Sequence, residues 1–304
     1  MEDKARAMVI ASFVGDSLAL GAHWIYDTTE IGRRFGRVEH LLKPDSTSYH
    51  PTKDRGEFTH YGDQALVLLE SIASCSGFDL EHFARLWKAL FDHYSGYFDK
   101  ATKATLKNLS EGKPPAESGS ASKELAGAAR IAPLVYRYRN KPEELAIHTR
   151  AQTAMTHNNP MVIASADFFA RITFKVLQGK TPTTAMTETG HESFGGTPLA
   201  DWVASGLQSL EVGSHKAIAD FGQSCDTRGA FPSVVHLIGK YEGDLEQALI
   251  ENVMAGGDSA ARGMVVGMVL GAHLGLDAIP GIWLDELKPY RQILQLLDAV
   301  NRHS

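Results

Sequence analysis

Residues Gly256-Gly257-Asp258-Ser259-Ala260-Ala261-Arg262-Gly263-Met264-Val265-Val266-Gly267-Met268-Val269-Leu270-Gly271-Ala272-His273-Leu274-Gly275 decide the fold. Gly263, Gly267, Gly271 and Gly275 recur every fourth residue, which places them on one stripe of a helix. Glycine inside a helix costs about 1 kcal/mol against alanine. A cost repeated in register asks for compensation, and the simplest is the close approach of a second helix backbone. Ala11, Gly15 and Ala19 form a matching stripe near the N-terminus. The two segments are therefore expected to cross tightly in the core. That crossing would carry Asp16 and Asp258 towards each other from opposite ends of the sequence.

Outward from this stretch the apolar periodicity is helical nearly everywhere. Helices are expected over 63–73, 80–97, 142–155, 160–177, 198–210 and 245–254. Several open on Pro, Asp or Thr, which suits a first helical turn. Alternating strands and Asn-Gly or Asp-Gly hairpins do not occur; the short apolar piece 234–238 reads as helix before strand. Composition marks loops at 36–56, 111–122 and 190–197. None is long or biased enough for a domain linker, and no internal repeat appears. The expectation is an all-α fold, one compact multi-helix domain over residues 1–304.

The chain has 304 residues, 43% of them hydrophobic and 22% charged, enough for a sizeable core and too apolar for disorder. A net charge of −6 argues against a nucleic-acid partner, which needs a basic surface. Cys75 and Cys225 are too few for a disulfide scaffold and read as free thiols in a reducing compartment. The apolar run 8–26 is interrupted by Asp16 and lacks a clean cleavage site. The run 263–276 falls short of the roughly 20 residues that span a bilayer. A cytoplasmic protein without membrane partners, a monomer or small homo-oligomer, is expected.

Three motifs carry candidate chemistry. The first is Gly15-Asp16-Ser17-Leu18 followed by His23-Trp24-Ile25-Tyr26-Asp27. An Asp inside an apolar helix is costly unless paired. It either caps a neighbouring helix or lines a pocket in which Trp24 and Tyr26 offer flat faces to a base or sugar. The second is Thr59-His60-Tyr61-Gly62-Asp63-Gln64, where Asp63 is either an N-cap or a carboxylate holding a metal or a water. The third is the Gly256-Gly257-Asp258 turn into the glycine helix, whose first N–H groups suit an anion. Arg262 there opposes the helix dipole and needs an anionic partner, either Asp258 or a ligand phosphate.

Taken in order, these motifs resemble the ADP-ribosylglycohydrolase family, in a divergent branch similar to the J-crystallins of animal lenses. The resemblance extends through Gly127-Ala128-Ala129-Arg130-Ile131-Ala132-Pro133-Leu134, Thr156-His157 and Ile279-Pro280 before Trp283. It implies a single orthogonal bundle of helices and hydrolysis of the glycosidic bond to an ADP-ribosyl group. It also implies two magnesium ions held by carboxylates and Thr. Here the departures are marked. The family's Glu position falls on His23, its Thr-Asp-Asp run on Thr59-His60-Tyr61, and its Asp-x-Asp-Thr run on Asp258-x-Ala260-Ala261. Magnesium requires near-octahedral oxygen ligands. Asp63, Asp258 and Thr59 would hold at most one Mg²⁺, and a site with no metal stands equally; His23 and His60 favour softer metals.

The reading that follows is a hydrolase of an ADP-ribosyl, or related ribosyl, N- or O-glycosidic bond with a degraded metal site. Asp63 and Asp258 are the catalytic candidates. Asp16, His23, Trp24, His60, Tyr61, Ser118, Gly119, His157 and Arg262 are the substrate-binding candidates. Ser118-Gly119 would offer backbone N–H groups to a diphosphate. His157 reads as an acid/base or as a structural histidine. Arg262 would stand in for lost metal charge. The alternatives are a non-catalytic ADP-ribose or nucleotide binder and a structural, crystallin-like protein.

Overall fold

The computed structural model describes residues 2–75 and 77–302. Its helices are α1 (Glu2–Ala19), α2 (Thr28–Phe35), α3 (His60–Ser74), α4 (Leu80–Asp92), α5 (Lys100–Ser110), α6 (Ala126–Ala129), α7 (Ala132–Arg137), α8 (Pro142–Thr156), α9 (Pro160–Leu177), α10 (Pro182–Phe194), α11 (Pro198–Gln208), α12 (Ser214–Phe221), α13 (Thr227–Lys240), α14 (Leu245–Met254), α15 (Ser259–Leu274), α16 (Gly281–Glu286) and α17 (Tyr290–Arg302). Among the described residues β-pairing is confined to two isolated bridges, Ser120 with His157 and Glu124 with Asp226. Among the described residues no helix is long and apolar enough to cross a membrane.

The glycine stripe does what its spacing requires. α1 and α15 run antiparallel, with Gly15 against Gly263, Ala11 against Gly267 and Ala7 against Gly271. A Cβ added at Gly267 would lie 2.1 Å from the Ala11 carbonyl oxygen, and one at Gly15 would lie 2.2 Å from that of Gly263. Both helices are buried along most of their length, so this pair is the axis of the core. The remaining helices pack around it, and Trp87, Trp283, Phe168, Phe169 and Phe231 fill the gaps.

Helices 160–177 and 245–254 match their expected bounds, and 234–238 lies inside α13. Two expectations fail. The helix expected over 80–97 stops at Asp92, because Tyr94 turns to donate to Asp63 and the chain swings out through Gly96. The segment 190–197, expected as loop, is helical to Phe194, since Thr189, Gly190 and Phe194 are buried against the bundle. The loop 36–56 does exist, and it reaches back over the C-terminal end of α1.

Candidate functional site

The site is built where α1 ends and α15 begins. After α1 the chain turns, and Trp24 takes a positive φ of 66°. This conformation is held by two bonds: Trp24 N–H donates to the Gly257 carbonyl at 2.9 Å and Gly257 N–H to that of Ile25 at 2.8 Å. Gly257 has φ 70°, and a Cβ there would sit 2.1 Å from the Gln223 carbonyl oxygen, so glycine is obligatory. Asp258 then caps α15, with Oδ1 accepting from Ala261 N–H at 3.5 Å. His23 lies alongside, its Nε2 3.8 Å from Asp258 Oδ1.

α3 enters from the other side. Its N-cap Thr59 uses backbone and hydroxyl to donate to the two Asp16 oxygens at 2.8 and 2.6 Å. Asp16 is fully buried, and desolvation pushes its carboxyl up to about 7 despite those bonds. The next residues, His60 and Tyr61, face the centre. His60 Nε2 is 3.1 Å from Asp99 Oδ2, and Asp99 caps α5.

A third wall comes from the bridge between Glu124 and Asp226. The Cys225 thiol donates to Glu124 Oε1 at 3.5 Å, and His157 Nε2 stands 3.7 Å from Glu124 Oε2. Gly127 makes room for the His157 ring, which a Cβ there would meet at 2.6 Å. Arg130 is buried behind it, donating to Thr156 Oγ1 at 2.6 Å and to Gln64 Oε1. The cover is aromatic. Trp24 meets Tyr49 at 4.9 Å and Tyr97 at 5.0 Å, and the His50 ring sits 5.5 Å from both His23 and His60.

Burial sets the electrostatics. It lowers His23 well below its usual range, drops His50 to about 3 and lowers His157. It raises Asp258 to about 6, the Arg262 charge only partly opposing it. Glu124 moves the other way, chiefly through the neighbouring His157 ring, 3.7 Å from its Oε2. Burial, with Asp258, Asp99 and Glu124 adding negative charge, raises the Tyr61 hydroxyl well above its usual range. Among the described residues Asp258 Oδ2, Glu124 Oε2, Tyr61 Oη and His23 Nε2 are buried without hydrogen-bond partners. Each such group costs about 1–3 kcal/mol.

The structure thus brings His23, Trp24, His60, Tyr61, His157 and Asp258 together, with Asp16 and Thr59 one layer beneath. It does not bring in four others. Asp63 turns away to Lys53 Nζ at 2.5 Å and to the Tyr94 hydroxyl, beside a cavity lined by Lys288 and Gln292. Arg262 is fully buried and spends its donors on Asn252 Oδ1 and the carbonyls of Asn252, Gly256 and Gln223. It straps the glycine turn and does not reach towards a ligand. Ser118 bonds the carbonyls of Lys113 and Pro114, and Gly119 packs so closely on Ala154 that a Cβ would lie 1.9 Å from its oxygen. Sequence reasoning missed His50, Tyr97, Asp99, Glu124 and Cys225; only the isolated Lys123-Glu124 charges before an apolar helix hinted at any of them.

Magnesium does not fit these residues. The Thr59 hydroxyl is committed to Asp16, Asp63 points elsewhere, and Ala260 and Ala261 offer no oxygen. Asp258 is left beside the His23 imidazole. Among the described residues no group of three or more His, Cys, Asp or Glu side chains could hold a metal ion. The expected ligand set Asp63, Asp258 and Thr59 is therefore corrected: the three do not converge.

The fold is shared with a solved structure described as an ADP-ribosylglycohydrolase-related protein complex. That structure superposes with a TM-score of 0.77 at 23% identity, covering 100% of this chain and 98% of its own. The family profile of the ADP-ribosylglycohydrolases matches residues 1–304, and the chain belongs to that family. Crystallin J1A of Tripedalia cystophora is 22% identical over 99% of this chain and 97% of its own. The ADP-ribosyl-[dinitrogen reductase] glycohydrolase of Rhodospirillum rubrum is 24% identical over 99% and 96%.

Proposed function

We propose that this chain hydrolyses an ADP-ribosyl, or related ribosyl, N- or O-glycosidic bond with its own acids rather than through a pair of magnesium ions. The observation that carries the reading is the pair Asp258 and Glu124. Each has a buried carboxylate oxygen with no hydrogen-bond partner among the described residues, and their environments push them in opposite directions. Two carboxyl groups held in different protonation states are the minimal equipment of a glycosidase.

Asp258, raised towards neutrality, is the proton donor to the leaving nitrogen or oxygen. Glu124, kept ionised by His157, takes a proton from water as the water oxygen attacks the anomeric carbon. The glycosidic bond breaks and one water is consumed. A ribosyl hydroxyl and the free amine or alcohol leave, and solvent returns the proton from Glu124 to Asp258. Neutral His23 beside Asp258 and the buried Tyr61 hydroxyl position the sugar.

The test is incubation of the pure protein with ADP-ribosyl-arginine and ADP-ribosyl-serine, with magnesium and with chelator, followed by chromatography. Release of ADP-ribose that survives chelation, and that falls by about 10²-fold or more in Asp258→Asn and Glu124→Gln, is expected. Turnover that demands magnesium sinks the metal-free reading. The whole-length similarity to Crystallin J1A favours a second reading, a structural, crystallin-like protein. Its signature is neither turnover nor a thermal shift with ADP-ribose under either condition, whereas a bound ligand at 100 times its Kd would add about 2.7 kcal/mol.

A further inference from the structure

We propose that the lysine face of α5, with the aromatic cavity at its start, is a docking surface for an acidic peptide segment of another protein. The segment's carboxylates would meet the lysines, and one apolar side chain would enter the cavity. Lys100, Lys103 and Lys107 are spaced three and four residues apart, so they share one face of α5. All three are exposed, and α5 contains no acidic residue. Among the described residues Lys107 pairs with Glu111 at 3.7 Å, while Lys100 and Lys103 enter no ion pair. Two cations in the first turn also oppose the helix dipole. The N-cap Asp99 does not answer them: it is buried and engaged with Thr102 N–H and His60. In a chain of net charge −6, an unpaired positive face breaks the local rule and asks for an anion from outside.

The cavity lies directly before α5. It has a volume of about 370 Å³ and is lined by Tyr49, Pro51, Tyr97 and Phe98, with Lys103 on the same wall. Tyr49 is 54% exposed, so an aromatic surface stands open beside the charges. The Tyr49 and Tyr97 rings meet edge to face, 5.7 Å apart at 86°. They make a corner that fits a branched aliphatic side chain, not a pair of parallel faces for a base. The lysine face is also short, about 16 Å for the whole of α5. Nucleic acid binding wants a longer basic track and stacked bases, so an acidic peptide is the better match. The same two tyrosines cover Trp24, which places the surface beside the candidate site, yet its test needs no turnover.

The probe is a short labelled peptide of Glu and Asp with one central Leu, followed by fluorescence anisotropy against the full chain at low ionic strength. Companion probes carry Ser for the Leu, or Gln for every acid, and a labelled single-stranded oligothymidylate stands for nucleic acid. Saturable binding of the Leu peptide is expected. It should weaken about tenfold or more with either companion peptide and with Lys100→Glu/Lys103→Glu. Lys100→Arg/Lys103→Arg should retain it, and added salt should weaken it. Tyr49→Ala should bring the Leu peptide down to the affinity of the Ser peptide. The replaced side chains are exposed, so the variants should fold, which circular dichroism checks. No saturable binding, or an affinity unmoved by the charge reversal, overturns the proposal. Equal affinity for the Leu and Ser peptides overturns it too, because the cavity then holds no anchor. Oligothymidylate that binds more tightly than the Leu peptide and is lost on charge reversal overturns it in favour of a nucleic acid.

Discussion

Replacing Gly267 by Ala should destabilise the protein and loosen the site, although the same change elsewhere stabilises helices. The added Cβ would lie 2.1 Å from the Ala11 carbonyl oxygen, 2.6 Å from its carbon and 3.2 Å from Ser12 N. All three are backbone atoms, so no side chain can swing away. Relief requires α1 and α15 to part by about 1 Å, and overpacking on that scale costs about 1–3 kcal/mol or more. The gain in helix propensity returns about 1 kcal/mol. Gly32 in α2 is the control: nothing lies within 4 Å of its added Cβ. Gly32→Ala should therefore gain about 0.5–1 kcal/mol. Urea unfolding measures both, read as midpoint shifts at constant slope. Because α1 leads into His23 and Asp258 starts α15, Gly267→Ala should also weaken ADP-ribose binding while Gly32→Ala does not. A Gly267→Ala midpoint at or above wild type would refute the claim that the two backbones are in contact.

The remaining expectations concern charges. Asp258→Asn keeps an N-cap and removes a carboxylate whose ionisation burial opposes, so it should raise the unfolding midpoint at pH 8 while abolishing turnover. Asp16 and Asp258 are raised from 3.8 to about 7 and about 6, so the folded state holds more protons than the unfolded chain between those values. Their contribution makes stability fall as pH rises from 4 to 7, and the double variant Asp16→Asn/Asp258→Asn should flatten that slope in denaturation series; an unchanged slope contradicts it. Arg262→Ala should cost about 3 kcal/mol or more by orphaning buried carbonyls, and Arg262→Lys should not rescue it, because an ammonium cannot span three carbonyls. A folded Arg262→Ala protein that has lost only ligand affinity would restore Arg262 to the site. Asp63→Asn, whose partners are Lys53 and Tyr94, should leave turnover within a few-fold of wild type; a large loss would return Asp63 to the catalytic centre.

How legible this was from sequence depends on the kind of signal. The helix pair was readable because small residues at a four-residue period have few other uses, and Gly15, Gly263 and Gly267 bear it out. Motif order was the ground for expecting His23, Asp63, Asp258 and Arg262 around one hollow, and Asp63 and Arg262 turn to other partners. What sequence could not supply was direction. Asp63 sits three residues after His60, yet that rotation on the helix turns it to Lys53. Arg262 looked like an anion binder because a cation at a helix start is unfavourable, but full burial among carbonyls answers that cost. His50, Tyr97 and Glu124 arrive on irregular segments, where no period announces which face a side chain takes. Tyr97 was further hidden inside an apparent helix that stops at Asp92.

The central helix pair has a bearing on how the molecule is made. α1 is synthesised early, with an apolar surface almost all round, but its partner α15 begins only at Ser259. Until then the ribosome exposes a sticky segment whose proper mate does not yet exist. Such long-range closure is slow and prone to aggregation. Folding of the core should therefore wait for α15, and until then the emerging polypeptide should be a strong client for chaperones.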